Sequence, residues 1–212
     1  MRHIVFFVGR IASHIFPNRL YNKLDLLKNI FFTGYKSMCF KSIGNKCTLG
    51  RNALYIGEMY IQIGNNTSIG DYGRLTAYDS YLQTKQHFLP QINIGDFCSI
   101  GTQSHITAIN NITIGNNVLT GPRVLITDNS HGSSYLHVLE EPPYLRELVS
   151  PGAVIIEDNV WIGEGAMIMP NVKIGKGSII AANSVVTKDI PAYCIAAGAP
   201  AKIIKQLRKN DI

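Results

Sequence analysis

The sequence contains little charge and few cysteines for its length. Of its 212 residues, 16% are charged and four are cysteines, and no two cysteines form a CxxC pair. This spacing argues against a disulfide framework and indicates a reducing compartment. Long apolar runs are also missing. Residues 4–8 are apolar, but Arg10 and His14 follow closely, so the segment is too short to span a bilayer and does not resemble a signal peptide. We therefore expect a globular cytoplasmic protein.

Acidic residues are almost absent from the first quarter of the chain. Residues 1–56 contain nine Lys or Arg and the single acid Asp25, whereas the remainder contains eleven Lys or Arg and thirteen acids. The basic front end suggests an anionic partner or surface, with a simple solvated face as the alternative. It has no interleaved aromatic residues on a repeat, so we expect no nucleic acid partner.

What the sequence does contain is a six-residue repeat between Ile156 and Val186. Isoleucine opens five consecutive blocks, Val186 follows in phase, and the fourth position of each block is Asn or Gly. A period of six fits neither a helix nor a simple strand, but it is typical of a chain that coils around a prism with one short strand on each face. Asn and Gly recur where a corner requires positive φ. This stretch predicts a parallel β-helix with isoleucines inside.

The repeat extends over residues 41–190 and is interrupted twice. It begins near Ile43, departs at residues 78–91 and is lost again at residues 131–152. The second interruption is too long for a corner, and long excursions from a rigid scaffold are often functional. About seventeen repeats at three per coil predict five to six coils. Residues 191–212 predict a turn and a short basic helix that begins at Pro200.

Residues 1–40 lack the repeat and predict two helical pieces separated at Pro17-Asn18. In the second piece, four apolar residues share one face: Leu20, Leu24, Leu27 and Phe31. Two interpretations stay open for this segment. It can cap the first coil, which solenoids require, or it can rest on a lipid surface at the inner membrane face.

Three motifs after the second interruption carry a resemblance to a known family. They are NVWIG at residues 159–163, SVVTKDIPAY at 184–193 and GAPAKIIK at 198–205. Together with the repeat, they resemble the left-handed β-helix acyltransferases, and in particular the sugar O-acetyltransferases of the galactoside, maltose and surface-polysaccharide type. The resemblance covers about residues 43–208 and implies the left-handedness, which the repeat alone does not.

The resemblance implies a homotrimer that binds acetyl-coenzyme A between adjacent prisms and transfers the acetyl group to a sugar hydroxyl. The family's catalytic histidine stands just after a strand at the start of a loop, and His131 occupies the matching position. A neutral imidazole is suited to removing the hydroxyl proton. Asp128, three residues earlier, is expected to orient the ring or stabilise its charged form. We expect no metal.

Three other histidines remain alternatives or helpers. His137 lies six residues into the insertion and is the main rival for the base. His105 closes a repeat and could face the groove, and His87 in the first loop could shape the acceptor site.

The resemblance also implies a set of coenzyme-binding residues. Trp161, the only tryptophan, is expected on the outer face against the pantetheine arm or a neighbouring subunit. The other positions implied are Gly163, Ala182, Thr187, Lys188, Lys202 and Lys205. A small residue at 182 leaves room for the arm, and the lysines suit the nucleotide phosphates. The backbone near Gly163-Glu164 is a candidate for the oxyanion donor.

A basic and partly apolar front end suits an acceptor that is a lipid-linked or anionic intermediate of surface-polysaccharide synthesis. Enzymes that acetylate streptogramins or chloramphenicol share the scaffold and the base, and they are the alternative, together with a non-catalytic structural β-helix. A γ-type carbonic anhydrase would need three histidines around zinc, and the spacing of His105, His131 and His137 lacks that pattern.

Overall fold

The structure is a computed structural model that describes residues 1–15 and 18–207, without the side chains of residues 14, 15, 18, 19, 21 and 137. Two helices come first, α1 (Arg2–Ile15) and α2 (Asn18–Ser37). This agrees with the two predicted helical pieces, although Phe16 and Pro17, at the predicted break, lie outside the described residues.

Short strands make up most of the remaining chain. The first eight are β1 (Ser42–Ile43), β2 (Thr48–Leu49), β3 (Leu54–Ile56), β4 (Ile61–Ile63), β5 (Ser68–Ile69), β6 (Arg74–Ala77), β7 (Ser80–Tyr81) and β8 (Gln86–His87). The next eight are β9 (Gln91–Ile94), β10 (Ser99–Ile100), β11 (His105–Ala108), β12 (Asn111–Ile114), β13 (Leu119–Thr120), β14 (Leu125–Thr127), β15 (Ser130–His131) and β16 (Leu148–Val149). The last eight are β17 (Val154–Ile156), β18 (Trp161–Ile162), β19 (Met167–Ile168), β20 (Lys173–Ile174), β21 (Ile179–Ile180), β22 (Val185–Val186), β23 (Cys194–Gly198) and β24 (Ala201–Gln206). A short helix, α3 (Leu136–Leu139), and two 3₁₀ turns, Glu58–Tyr60 and Pro143–Leu145, complete the described elements.

Apart from the two-stranded sheets β7–β8 and β15–β16, the strands form three sheets that are the faces of a prism, and these are parallel except for the antiparallel pair β23–β24. Face A has the order β1-β4-β9-β12-β17-β20, face B the order β2-β5-β10-β13-β18-β21-β23-β24, and face C the order β3-β6-β11-β14-β19-β22. Along the chain, the strands of these three sheets follow one another through faces A, B and C, so each set of three makes one coil. Six such coils are complete in the described chain, and Ile190 and β23 begin a seventh. This confirms the parallel β-helix.

The inside of the prism is a column of stacked aliphatic side chains. The six residues that open the repeats between Ile156 and Val186 all point inward and are at most 1% exposed. On face C, for example, Ile106, Ile126 and Ile168 lie over one another in register. Burial of each such side chain contributes about 1.5–3 kcal/mol, so the column is the main source of stability.

The predicted corners are confirmed by the backbone. Asn159, Asn171 and Asn183 have φ near 60°, and Gly165 and Gly177 have φ of 68°. These fourth-position residues therefore occupy the left-handed region that Asn tolerates and Gly reaches freely.

One corner carries all the irregularity of the coil. From face A to face B, and from face B to face C, inward residues follow at the regular spacing of six in every coil. The corner between face C and the next face A, here called the CA corner, varies instead. It contains the turn Glu58–Tyr60 in the first coil, the β7–β8 hairpin in the second, a tight turn at Ile109-Asn110 in the third and the long insertion in the fourth.

Helix α2 is tied to the first coil through its polar side. Buried Thr33 Oγ1 accepts a hydrogen bond from the Leu49 N–H at 2.8 Å. Asp25 pairs with Arg51 at 2.7 Å, and Lys36 pairs with Glu58 at 3.3 Å. These contacts satisfy backbone and charged groups at the open end of the coil.

The apolar row of α2 faces away from the coil. Its four members are exposed, and Phe31 is the most exposed at 77%. The described apolar side chains of α1 are exposed as well. No helix in the described part of the chain combines the length and hydropathy needed to cross a membrane.

The predicted C-terminal helix is wrong for the residues that the structure describes. Residues 201–206 form β24, which pairs antiparallel with β23, and residues 208–212 lie outside the described part. Gly198, with φ of 105°, begins the reversal between the two strands. Without β24, the outer edge of β23 would leave its backbone groups unpaired, and the β-branched Ile203 and Ile204 suit a strand.

The close stacking of coils requires glycine at position 101, because a Cβ there would lie 2.2 Å from the Gly121 carbonyl oxygen. We expect Gly101→Ala to lower the free energy of unfolding by about 1–3 kcal/mol through overpacking. Urea unfolding measures this change. The control is Gly34→Ala in α2, where nothing lies within 4 Å of the added Cβ. Helix propensity predicts that this variant raises the free energy of unfolding by about 0.5–1 kcal/mol. Undiminished stability of Gly101→Ala would contradict the stacking argument.

Candidate functional site

Two excursions from the CA corner meet beside the third coil. The hairpin after β6 and the insertion after β14 leave the second and fourth coils, so the tight turn Ile109-Asn110 lies between them. Tyr81 in the hairpin donates its hydroxyl proton to the Tyr144 carbonyl of the insertion, and the Gln83 side chain donates to the Tyr144 hydroxyl. The two loops therefore form one joint structure.

His131 lies in this joint structure, at the start of the insertion. It ends β15, which pairs antiparallel with β16, so a two-stranded ribbon fixes its backbone. The imidazole is exposed, and the Tyr81 ring contacts it edge to face with the centroids 5.5 Å apart. An exposed imidazole beside loops of this kind can accept a proton from a bound hydroxyl.

Among the described residues, Asp128 forms no hydrogen bond or ion pair with His131. It is fully buried, and its carboxylate accepts hydrogen bonds from the backbone N–H groups of Ile109 at 3.0 Å and Asn110 at 2.9 Å. The Asn129 side-chain amide donates a third bond at 3.0 Å. The carboxylate that was expected to orient the imidazole or stabilise its charged form is thus bonded to the backbone of the third coil and to Asn129. Asp128 points into the coil because it holds the tight turn of the third coil.

The other candidate histidines belong to elements other than β15. His105 is on the outside of face C, and its Nε2 lies 3.2 Å from Thr76 Oγ1. Burial, with the Arg74 guanidinium nearby, holds the pKa of His105 below its ordinary value. His87 is exposed in β8, and the backbone of His137 belongs to α3, with its side chain outside the described residues.

Trp161 lies in a row of outward side chains on face B, where it follows Leu119 of the preceding coil. It is half exposed, and its register partners on successive strands are Ile179, then Ile195, then Lys205. Lys202 pairs with Ala197 and therefore lies on the same outer face as Lys205. The strand that replaced the predicted helix thus brings Lys205 into this row and Lys202 beside it.

Gly163 and Ala182 lie at the corner between faces B and C. A Cβ on Gly163 would lie 2.5 Å from the Ala182 backbone nitrogen, so the corner needs glycine for coil stacking. The Gly163 N–H donates to the Ile180 carbonyl at 2.7 Å, so this backbone donor already has a partner in the next coil. Ala182 is exposed at the same edge.

Thr187 and Lys188 belong to a different side of the prism. They are exposed and follow β22 at the CA corner. The insertion that begins at His131 leaves the coil at the same corner, two coils earlier. Face B is opposite this corner in a three-sided prism. The predicted coenzyme residues therefore lie on face B, at the corner between faces B and C, and at the CA corner, and the last group shares its corner with His131.

Comparison with known proteins identifies the class. The family description "bacterial transferase hexapeptide (six repeats)" matches residues 153–188. WbbJ of Escherichia coli K12, provisionally assigned as a lipopolysaccharide biosynthesis O-acetyl transferase, is 35% identical over 165 residues, which cover 76% of this chain and 79% of WbbJ. The chain therefore belongs to the hexapeptide-repeat acyltransferases.

Within that family, the chain is also similar to an acyltransferase of a nucleotide sugar. The dTDP-4-amino-4,6-dideoxy-D-glucose acyltransferase of Escherichia coli is 30% identical and covers 82% of this chain and 86% of its own length. The N-acyltransferase AntD of Bacillus cereus, solved with dTDP and 3-hydroxybutyryl-CoA, has a TM-score of 0.70 at 23% identity and covers 83% of this chain and 88% of AntD. That structural likeness supports the fold.

Burial predicts a large cost for changing Asp128. We expect Asp128→Ala to lower the free energy of unfolding by about 2–5 kcal/mol, because two buried N–H groups lose their acceptor. Urea unfolding of the purified protein measures it. Asp158→Ala is the matched control, since Asp158 also accepts a backbone N–H, that of Asn116 at 2.7 Å, but at a half-exposed corner. Equal losses for the two variants would show that burial does not set the cost.

Proposed function

We propose that this protein is an acetyl-coenzyme-A-dependent O-acetyltransferase that modifies a sugar hydroxyl during surface-polysaccharide synthesis. His131 is the general base. The coil is left-handed, as the family resemblance implies, and the working unit is a homotrimer. Residues 1–40 are its cap and residues 41–190 its catalytic coil, and β23 and β24 form a hairpin after the coil.

The observation that carries the proposal is the position of His131 relative to face B. His131 leaves the CA corner, whereas Trp161 and the two lysines lie on the opposite face. Within one chain the base is therefore separated from this row by the width of the prism. Packing the CA corner of one copy beside face B of another brings the two groups together, and a closed ring of three copies repeats that contact.

The residues suit the chemistry of acetyl transfer. His131 takes the proton of the acceptor hydroxyl while the oxygen attacks the thioester carbonyl. A C–O bond forms, the C–S bond breaks as the tetrahedral intermediate collapses, and the imidazolium returns the proton to the departing thiolate. Asp128 supports the base indirectly, through the buried turn beneath the joined loops.

The row on face B suits the donor. Trp161, Ile179 and Ile195 offer an apolar track for the pantetheine arm, and Lys205 ends it with a positive charge. Lys202 lies beside Lys205 for the nucleotide phosphates. Thr187 and Lys188 reach the same donor from the adjoining copy, because they share the CA corner with His131.

The N-terminal helices suit a membrane-bound acceptor. The apolar row of α2 points away from the coil, and α1 adds exposed apolar residues together with Arg2 and Arg10. A basic and apolar surface of this kind binds anionic bilayers. His131 belongs to the fourth coil, about 14 Å from the first at the spacing of neighbouring strands. A lipid-linked sugar that projects from the bilayer can cover such a distance.

Catalysis is tested by coenzyme A release from acetyl-coenzyme A with sugars, nucleotide sugars, lipid-linked oligosaccharides and chloramphenicol as acceptors. We expect turnover with a sugar acceptor, and a loss of about 10²-fold or more in His131→Ala because the base is gone. Acetyl-coenzyme A binding, measured by calorimetry, is expected to persist in this variant.

His137→Ala is the control for the rival base and is expected to retain turnover. If His131→Ala turns over normally and His137→Ala does not, the base is His137. A preference for chloramphenicol would point to the antibiotic-modifying class. Absence of both coenzyme A binding and turnover would favour a structural coil.

Membrane contact is tested by cosedimentation with vesicles that contain phosphatidylglycerol. Substitution is a cleaner test than deletion of residues 1–40, because Thr33 and Phe40 help to hold the first coil. We expect the wild type to sediment, and the triple variant Leu24→Glu, Leu27→Glu, Phe31→Glu to lose at least about tenfold in affinity through lost apolar burial.

The matched control for this experiment is Phe97→Glu. Phe97 is 61% exposed, close to the 77% of Phe31, but it lies at a corner of the coil away from α2. Its substitution is expected to leave vesicle binding unchanged. A wild type that stays in the supernatant would rule out the membrane contact.

A further inference from the structure

In the two-stranded ribbon that carries His131, the backbone groups at one edge are hydrogen-bonded by a side chain. In β15–β16, Ser130 is opposite Val149 and His131 is opposite Leu148. The next pair is bonded, since the Gly132 N–H donates to the Glu147 carbonyl at 2.8 Å. Because bonded and non-bonded pairs alternate in an antiparallel ladder, the N–H and C=O of Leu148 point away from β15.

Gln86 of the hairpin satisfies both of these Leu148 groups. Its Nε2 donates to the Leu148 carbonyl at 3.0 Å, and its Oε1 accepts from the Leu148 N–H at 2.8 Å. Thr84 Oγ1 donates to the same Oε1 at 2.8 Å and fixes which way the amide faces. The primary amide of Gln86 therefore takes the place that a peptide group of a third strand would occupy.

The same hairpin also touches the imidazole. Gln86 and Tyr81 are cross-strand partners in β7–β8, and the Tyr81 ring is the one that meets the edge of His131. One cross-strand pair thus holds the backbone opposite His131 and the ring of His131 itself. Since isolated two-stranded ribbons are marginally stable in water, the ribbon depends on this support.

We infer that Gln86 is the positioning residue for His131. This inference rests on the proposed role of His131 as the base. Gln86 acts through Leu148 on the ribbon, and it links the two loops that are separated by more than a complete coil in sequence. The hairpin is then a part of the catalytic arrangement and not only a boundary of the acceptor site.

The test compares Gln86→Met and Gln86→Glu with the wild type in the coenzyme A release assay. Methionine keeps the length and removes both hydrogen bonds, and we expect kcat to fall by about tenfold or more because the base is misplaced. Glutamate keeps one acceptor but turns a second one toward the Leu148 carbonyl, so its loss is expected to be at least as large. KM for acetyl-coenzyme A is expected to stay within about twofold, and rates are taken per site that binds acetyl-coenzyme A.

A double-variant cycle separates positioning from a general structural effect. In a His131→Ala background, Gln86→Met is expected to change the residual rate by less than about twofold, because no imidazole remains to be positioned. Gln62→Met is the matched control, since Gln62 is exposed on the outside of face A, and it is expected to retain the wild-type kcat.

The outcomes distinguish the inference from the function on which it rests. A wild-type kcat in Gln86→Met, or an equal loss with and without His131, would overturn the positioning role while leaving His131 as the base. Full activity of His131→Ala would overturn the base assignment itself.

Discussion

Stacking of one coil on the next, at the spacing of neighbouring β-strands, governs the whole molecule. Each inward side chain has its counterpart one coil away, so Ile126 lies between Ile106 and Ile168. The same spacing decides the corners, where a Cβ on Gly101 or Gly163 would lie well inside contact distance of the next backbone. The hydrophobic column and the glycine corners are therefore two results of a single distance, and a residue is acceptable only if the coils on both sides accept it.

The sequence was sufficient to predict the coil because this distance repeats. Five consecutive blocks between Ile156 and Val186 carried the pattern, and their corner Asn and Gly residues have the positive φ that the pattern predicts. The terminal segments lack such repetition. Residues 201–206 form a strand because β23 offers an unpaired edge, and that edge exists only in the folded chain. The direction of the apolar row on α2 could likewise not be predicted from the sequence, because polar contacts of Thr33, Asp25 and Lys36 decide which side of the helix meets the coil.

The candidate site was predictable to the extent that it follows the coil. The place of His131 after a strand could be read from the motif, but its neighbours could not. Asp128 was the obvious partner by proximity in sequence, yet its position in the coil turns it inward to the Ile109-Asn110 turn. Nothing in the sequence indicated a role for Gln86. Its partner Leu148 lies near the far end of the insertion, and Gln86 contacts only the backbone of that residue. Trp161 and Lys205 share a row only through the strand pairing of face B.

Confinement of every irregularity to the CA corner has a consequence for how such a chain can diversify. A segment added at this corner leaves the coil at one level and returns at the next, so the six-residue phase of faces A, B and C resumes without change. The two regular corners carry no such segment in the described coils, so the inward column and the glycine positions continue through them without interruption. Loops that shape the acceptor can therefore lengthen, shorten or be exchanged while the opposite face, with its row from Trp161 to Lys205, stays constant. The prism separates a part of the enzyme that is free to vary from a part that is not.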